Sequence, residues 1–233
     1  MLDSSAGVTD RTRSEPATTI VTPKGQTLSL EYFVGWGGPS AVQLTKSAIE
    51  ILGNDLTGRK VLDVGFGQGQ MSCLFALLGA QVVGVDIHGV NLLTAQAEAK
   101  RWGVSERTAF TVYSGDPRTI QQADFDIVFT KSMLLLISDL EVFLRALATR
   151  LRHRGQVAFV ENGFHNPLSI LTRRLVHWWR DNKDYDGNAA YNWHLPAYLS
   201  RSRINAMRRV FDLRQVTRAQ SRHWYLIHGF KRD

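Results

Sequence analysis

The sequence predicts an α/β protein with a doubly wound seven-stranded sheet, mostly parallel, with an antiparallel strand at its C-terminal edge. Short apolar runs alternate with helical segments of about 10–15 residues, which is typical of parallel βαβ units. A glycine-rich turn follows the first buried run, at the carboxyl end where open α/β sheets bind ligands. The chain has 233 residues and 44% hydrophobic content, enough for one domain of this class.

The elements of the first half surround the glycines. The spacing predicts a helix over "PSAVQLTKSAIEILG", with Gly53 as its C-cap. A buried strand follows at "KVLDVG", then a helix at "QMSCLFALLGA" that ends at Gly79. "QVVGVDI" is predicted as the second strand, "VNLLTAQAEAKRWG" as the next helix and "TAFTVYSGD" as the third strand.

The second half continues the alternation and then changes character. "FDIVFT" is predicted as the fourth strand, and "SDLEVFLRALATRLRHRG" as a helix with Ser138 and Glu141 in a capping box and Gly155 at its end. "QVAFVENG" is the fifth strand. A helix near "RSRINAMRRVF" precedes "DLRQVTRA" and "HWYLIHGFK", two strands joined by a short turn, which predict an antiparallel addition at one edge.

Three regions make up the predicted domain organisation. Residues 1–25 are polar without an apolar signal core, so we predict a flexible tail. Residues 26–233 are predicted to form a single domain, with an aromatic insertion at about 163–198 that is long enough to act as an active-site lid. No window approaches the ~18–20 apolar residues of a membrane span, and we predict a soluble, cytoplasmic protein. The single cysteine, Cys73, is predicted to be a buried thiol.

The charge is unevenly distributed along the chain. Residues 1–144 hold 11 Lys/Arg and 15 Asp/Glu, whereas residues 145–233 hold 17 and 6, so the last third carries a net charge of +11. Such asymmetry can attract anionic substrates, nucleic acid or lipid headgroups. A solvated basic surface that keeps the protein soluble is an equally good interpretation.

The stretch "VLDVGFGQGQ" places three glycines between a strand and a helix, where backbone N–H groups can bind a ligand. A P-loop is excluded because the nearest match, "GNDLTGRK", lacks the Lys-Ser/Thr pair and precedes its strand. The dinucleotide pattern GxGxxG is disfavoured because Gln70 occupies the position of its third glycine.

"LDVGFGQG" resembles the first motif of the class I S-adenosylmethionine-dependent methyltransferases. Further stretches match that family in order: "VVGVDI", "VYSGDPRTI", "FDIVFTKSMLLLI" and "ENGFHNPL". The resemblance covers about residues 58–165 well and 196–230 only in outline, and it is strongest to the small-molecule branch of the family. It implies a Rossmann-like fold and S-adenosylmethionine as the cofactor.

The resemblance also implies roles for individual residues. Asp86 would accept hydrogen bonds from the ribose hydroxyls, and Asp116 would accept one from the adenine amino group. Helix capping remains an alternative for Asp86, and an ordinary turn for Asp116. Asp63 is interpreted first as a structural residue that orients the loop. The full predicted cofactor site is Asp63, Gly65, Phe66, Gly67, Gly69, Asp86, Ile87, Asp116, Pro117 and Thr130.

The predicted chemistry needs alignment of an acceptor and, for a weakly acidic group, a proton acceptor. His165 is the first candidate for a base, with Glu161 beside it, and a purely structural histidine is the alternative. Position places four residues near the acceptor: Tyr32, Trp36, Trp193 and His194. The histidines have no metal-ligand spacing and there is no cysteine cluster, so no metal is predicted.

The leading functional hypothesis is methyl transfer to a small organic acceptor, at the oxygen of a hydroxyl or carboxylate. The basic last third of the chain suggests an alternative, an RNA or protein methyltransferase. Against it, "TKSMLLLI" lacks the signature of base-amino methyltransferases, so nucleic acid is not the expected partner. A non-catalytic cofactor-binding protein is the third hypothesis. The basic amphipathic segment 167–180 could touch a membrane surface. The acceptor and the oligomeric state stay open.

Overall fold

A computed structural model describes residues 18–162, 199–221 and 224–232 of the chain. Within them, seven strands form one sheet: β3 (Lys60–Val64), β4 (Gln81–Asp86), β5 (Thr108–Val112), β6 (Phe125–Lys131), β7 (Leu151–Asn162), β8 (Phe211–Arg218) and β9 (Trp224–Lys231). Their order in the sheet is β5-β4-β3-β6-β7-β9-β8, and all pairs from β5 to β7 are parallel. The predicted fold class is confirmed.

Helices cover both faces of the sheet. Alternate strand residues enter opposite cores: Val61 packs with one group of helices and its neighbour Leu62 with the other. The first face is covered by α1 (Leu30–Val34), α2 (Gly38–Leu52), α3 (Gln70–Leu77) and α4 (Val90–Arg101). The second is covered by α5 (Leu140–Ala148) and α6 (Arg201–Val210). The strand order reverses between β3 and β6, so the carboxyl ends of these two strands define the crevice where such sheets bind ligands.

The last two strands extend the sheet beyond β7. β9 is antiparallel to both of its neighbours and lies between β7 and the edge strand β8. Because β9 runs opposite to β7, its first residue, Trp224, pairs with Asn162 at the carboxyl end of β7. The predicted antiparallel addition at one edge is therefore confirmed, and it brings an indole ring to the ligand-binding edge of the sheet.

Two predicted boundaries need correction. The tail predicted to reach residue 25 is shorter, because β1 (Thr19–Val21) pairs with β2 (Thr27–Ser29) and buries Ile20 in the core. The helix predicted to end at Gly155 ends at Ala148, since Leu151 pairs with Phe125 and belongs to β7.

The predicted capping box of that helix is also wrong. The N-cap of α5 is Asp139, whose carboxylate accepts a hydrogen bond from the backbone N–H of Val142. Asp139 directly precedes the first helical residue, so its short side chain can reach this N–H. Ser138 lies one residue before the cap position. The predicted lid, 163–198, and the segment 167–180 within it lie outside the described residues. In the part of the chain that the structure describes, no helix is long and apolar enough to span a bilayer.

Candidate functional site

The glycine turn connects β3 to α3 at the sheet reversal. Gly65, Gly67 and Gly69 have φ values of 82°, 52° and 83°, which side chains rarely adopt. A Cβ on Gly65 would lie 2.9 Å from Met133 Cγ, and one on Gly69 would lie 2.7 Å from Ala95 Cβ. A Cβ on Gly67 would meet nothing within 4 Å. The absence of a side chain at Gly65 and Gly69 therefore lets Met133 and Ala95 pack closely against the turn. Gly67, in contrast, presents bare backbone to open space.

Asp86, the last residue of β4, joins this turn to the neighbouring strand. Its Oδ2 accepts a hydrogen bond from the Gly67 N–H at 2.9 Å, and its Oδ1 accepts one from the His88 N–H at 2.9 Å. A carboxylate offers about four lone pairs, so two remain for other donors. The helix-capping alternative is not what the structure shows, because the N-cap of α4 is Gly89 and that helix has no side-chain cap.

Asp63 lies beneath the turn and is 2% exposed. Its carboxylate accepts a hydrogen bond of 2.6 Å from the Ser72 hydroxyl in the first turn of α3. Burial, with a smaller contribution from the nearby Asp86 carboxylate, raises the pKa of Asp63 to about 6 against the lowering effects of Ser72 and Lys131. These contacts agree with the structural interpretation of Asp63 as the residue that orients the loop.

Asp116, predicted to recognise adenine, begins a short 3-10 turn at Pro117–Thr119. Its carboxylate accepts hydrogen bonds from the backbone N–H of Arg118 at 2.9 Å and from the Arg118 guanidinium, which hold its pKa below the usual range. This geometry is the turn alternative that the sequence left open, and a contact with adenine stays a prediction. Pro117 is buried, while Ile87 is 40% exposed beside Asp86 and offers an apolar surface.

Phe66 and Thr130 support the site from inside the protein. Phe66 is buried against Phe110, with ring centroids 5.0 Å apart in an edge-on arrangement. Thr130 is fully buried, and its hydroxyl donates to Glu161 Oε1 at 2.7 Å. The structure therefore assigns the Thr130 side chain to holding Glu161 in place, a role different from the predicted contact with the cofactor.

Glu161 is 1% exposed and lies near the end of β7. Its Oε1 also accepts hydrogen bonds from the N–H groups of Met133 and Leu134, at 3.4 and 3.3 Å. Its Oε2 is buried and has no hydrogen-bond partner among the described residues. Burial raises the pKa of Glu161 to about 7. His165, its predicted partner in proton transfer, lies outside the described residues, as do Trp193 and His194.

The structure separates the two aromatic residues that were placed near the acceptor. The Tyr32 ring packs against Phe33 and Trp102, and its hydroxyl contacts Glu98 and Arg101 in the last turn of α4. The Tyr32 side chain is therefore held by α4, and its contact with an acceptor stays a prediction.

Trp36 packs at the carboxyl edge of the sheet and is 59% exposed, and its contact with an acceptor stays a prediction. Its ring packs against that of Trp224, with centroids 5.5 Å apart. Lys131 Nζ lies 4.7 Å from the centroid of the Trp36 ring and 5.8 Å from that of Trp224. Sequence reasoning missed both Lys131 and Trp224. The available signal for Lys131 was a lysine that directly follows the predicted fourth strand, "FDIVFT".

The basic residues of the last third gather partly at the other end of the sheet. A surface groove there is lined by Arg154, Asp212, Arg214, Phe230, Lys231 and Arg232. These residues belong to the start of β7 and β8 and to the end of β9, which lie opposite the glycine turn.

Among the described residues, no group of three or more His, Cys, Asp or Glu side chains could hold a metal ion, and the prediction of no metal stays a prediction.

The sequence comparison matches this geometry to a family. A family model described as a methyltransferase domain matches residues 62–159, a range that begins in β3 and ends in β7. Residues 62–159 thus match a methyltransferase domain, in agreement with the resemblance found in the sequence. S-adenosylmethionine is the cofactor of this family, so the predicted cofactor is confirmed at the level of the family.

Curated relatives of the methyltransferase domain include O-methyltransferases. The chain is 35% identical over 103 residues to the ubiquinone biosynthesis O-methyltransferase of Bradyrhizobium sp. (strain ORS 278), over 44% of this chain and 39% of that protein. It is 36% identical over 124 residues to the protein of the same name from Bordetella avium (strain 197N), over 53% and 50%. The chain thus spans about half the length, or less, of the curated relatives it matches.

Solved structures share the architecture of the methyltransferase domain. Magnesium protoporphyrin IX methyltransferase from Synechocystis PCC 6803 aligns with a TM-score of 0.61 and 16% identity, over 82% of this chain and 83% of that one. The [4+2]-cyclase SpnF aligns with a TM-score of 0.62 and 18% identity, over 81% and 80%. At these identities the likeness concerns the fold alone, and the fold does not decide the chemistry.

Proposed function

We propose that the protein transfers a methyl group from S-adenosylmethionine to an oxygen atom of a small organic acceptor. The observation that carries this proposal is the contact of Asp86 with the Gly67 N–H, because it joins the glycine turn and the acid of the next strand into one receptor. This receptor lies within the residues that match the methyltransferase family. The O-methyltransferase names of the curated relatives support oxygen as the methylated atom.

The residues of the turn fit the cofactor. Asp86 has two lone pairs left for the vicinal hydroxyls of a ribose, and a carboxylate matches that pair of donors. Gly67 leaves room beside its backbone that a larger residue would fill. The exposed side chain of Ile87 offers an apolar contact for the base. Asp63 would hold the turn in shape from below, through Ser72.

The chemistry requires little from the protein beyond position and a proton acceptor. When bound, S-adenosylmethionine supplies a methyl group that its sulfonium makes electrophilic. The chain's own residues would align an acceptor oxygen with that methyl group and exclude water. A hydroxyl must also lose its proton, and the candidate predicted for this step is His165, with Glu161 beside it.

Two measurements test the proposal in sequence. Isothermal titration with S-adenosylmethionine should show binding to the parent protein, and the absence of heat at millimolar ligand would remove the basis of the proposal. Incubation with a small-molecule extract should then produce S-adenosylhomocysteine. Binding without any such product would favour the non-catalytic alternative, in which the chain holds the cofactor but transfers no methyl group.

The structure gives the nucleic-acid alternative little support. The basic groove around Arg154 and Arg214 lies at the edge of the sheet opposite Gly67, so an RNA held there would not be directed to the methyl group. RNA binding that falls steeply with salt and competes with small acceptors would revive this alternative.

A further inference from the structure

Lys131 occupies an unusual place at the ligand-binding edge of the sheet. It is the last residue of β6, next to β3, where Thr130 pairs with Val64 just before the glycine turn. Its ammonium lies against two indole rings that pack on each other, Trp36 from the segment before α2 and Trp224 from β9. Among the described residues it makes no hydrogen bond or ion pair, although an ammonium has three donors.

The backbone next to Lys131 is strained at Ser132. Ser132 has a φ of 56°, a left-handed conformation that costs a non-glycine residue energy, and its N–H donates to the Val160 carbonyl at 3.0 Å. The Ser132 hydroxyl is buried without a partner among the described residues. Strained residues of this kind occur at ligand sites, where the surrounding structure compensates for their cost.

The acids near Lys131 come from both neighbouring strands. Asp63 on β3 and Glu161 on β7 favour its charged form, while burial is the larger effect and lowers the pKa of Lys131 to about 8. Adjacent residues of a strand point to opposite faces, and Thr130 bonds to Glu161. Glu161 therefore belongs to the face opposite Lys131, whereas Asp63, α3 and the two tryptophans share the face of Lys131.

We propose that Lys131, in place of the predicted His165, is the catalytic residue that contacts the acceptor oxygen and takes its proton, and that the acceptor is a phenol or similarly acidic hydroxyl on a planar ring. This inference rests on the proposed function. Trp36 is the exposed member of the indole pair and offers the ring surface against which a planar acceptor would pack. A phenol suits this arrangement because its acidity is close to that of a lysine, whereas an aliphatic alcohol is a far weaker acid.

The step balances without any further reactant. The neutral Lys131 amine accepts the hydroxyl proton and becomes an ammonium that the two indole faces and Asp63 stabilise. The acceptor oxygen uses its electron pair to bond to the methyl carbon. The carbon–sulfur bond breaks, and its electron pair stays on sulfur, so a methyl ether and S-adenosylhomocysteine result. Lys131 returns its proton to solvent.

The test uses 4-nitrophenol, whose phenolate has a visible absorption band, bound to the protein in the presence of S-adenosylhomocysteine. The spectrum is recorded as a function of pH, starting where the unbound compound is mostly protonated. The bound compound should ionise about one pH unit or more lower in the parent than in Lys131→Met, because an opposite charge within contact distance shifts a pKa by about that amount. Lys60→Met is the matched control, since Lys60 begins β3 at the opposite edge, and it should behave like the parent.

A second measurement does not depend on any variant. In the parent protein, labelling of lysines with acetic anhydride over a range of pH, read by peptide mass spectrometry, should show Lys131 titrating near 8 and protected by 4-nitrophenol. Equal ionisation of the nitrophenol in the parent and in Lys131→Met, or no protection of Lys131, would overturn the proposal. If S-adenosylmethionine still binds in that case, only this inference fails. Loss of that binding in the parent would instead refute the proposed function.

Discussion

Asp86→Asn tests the cofactor site most directly. The Asp86 carboxylate accepts one hydrogen bond on each oxygen, from Gly67 and His88, at 2.9 Å each. An asparagine keeps one of these acceptors and turns the other into an NH₂ donor that faces an N–H. The substitution therefore breaks one bond and leaves a half-buried N–H without that partner, which costs about 1 kcal/mol, the lower end of the range for buried groups. The free energy of unfolding, measured by urea denaturation, should fall by that amount.

Asp86→Asn should also weaken binding of the cofactor. The asparagine has no charge, and it presents a donor to one of the two ribose hydroxyls that a carboxylate would accept. Losing one charge-assisted hydrogen bond of about 1.5–3 kcal/mol raises the dissociation constant about 10- to 150-fold. Isothermal titration with S-adenosylhomocysteine measures this directly, at a temperature where both proteins remain folded.

Asp126→Asn is the matched control for a loss of stability alone. Asp126 is also a buried carboxylate that accepts a backbone N–H, that of Lys60 at 2.7 Å, and it pairs with Arg59 and Arg152 near the opposite edge of the sheet. This variant should lose stability and keep the parent's affinity. Unchanged affinity in Asp86→Asn, or an equal loss of affinity in Asp126→Asn, would refute the assignment of Asp86 to the cofactor.

Two further substitutions separate local strain and charge from binding. Gly67→Val should abolish binding of S-adenosylmethionine by filling the open space beside the turn, while Gly103→Val, at a φ of 66° and also with nothing within 4 Å, should cost similar stability and leave calorimetric binding unchanged. Glu161→Gln tests the buried carboxyl, whose pKa is raised from 4.5 to about 7. The contribution of this carboxyl to the free energy of unfolding is therefore fully present below pH 4.5 and is lost as the pH rises through about 7. Urea denaturation from pH 4.5 to 8 should therefore show that the free energy of unfolding of the parent falls by up to about 3 kcal/mol relative to that of Glu161→Gln. The same pH dependence in both proteins would contradict a raised pKa at Glu161.

The sequence was sufficient for the central part of the fold and for naming the residues that make up the proposed cofactor receptor. Strand alternation and helical spacing are local properties, so they predicted β3 to β6 and the helices between them. The glycine turn and Asp86 were also predictable, because each ends a strand and adjacent parallel strands end at the same edge. Helix boundaries were less certain, as Leu151 shows: an apolar residue suits a helix face and a strand equally well until pairing with Phe125 decides.

Only the tertiary structure decided which side chains share the acceptor's edge. Trp36, Lys131 and Trp224 come from three distant segments, and nothing local to any of them indicates the others. They meet because β9 enters the sheet antiparallel beside β7, which reverses the direction of the chain and returns its first residue to the carboxyl edge. Tyr32 shows the converse, since a residue near Trp36 in sequence points to α4 instead. Local patterns determine the elements and their faces, whereas contacts between distant segments depend on the strand order and direction that the whole core selects.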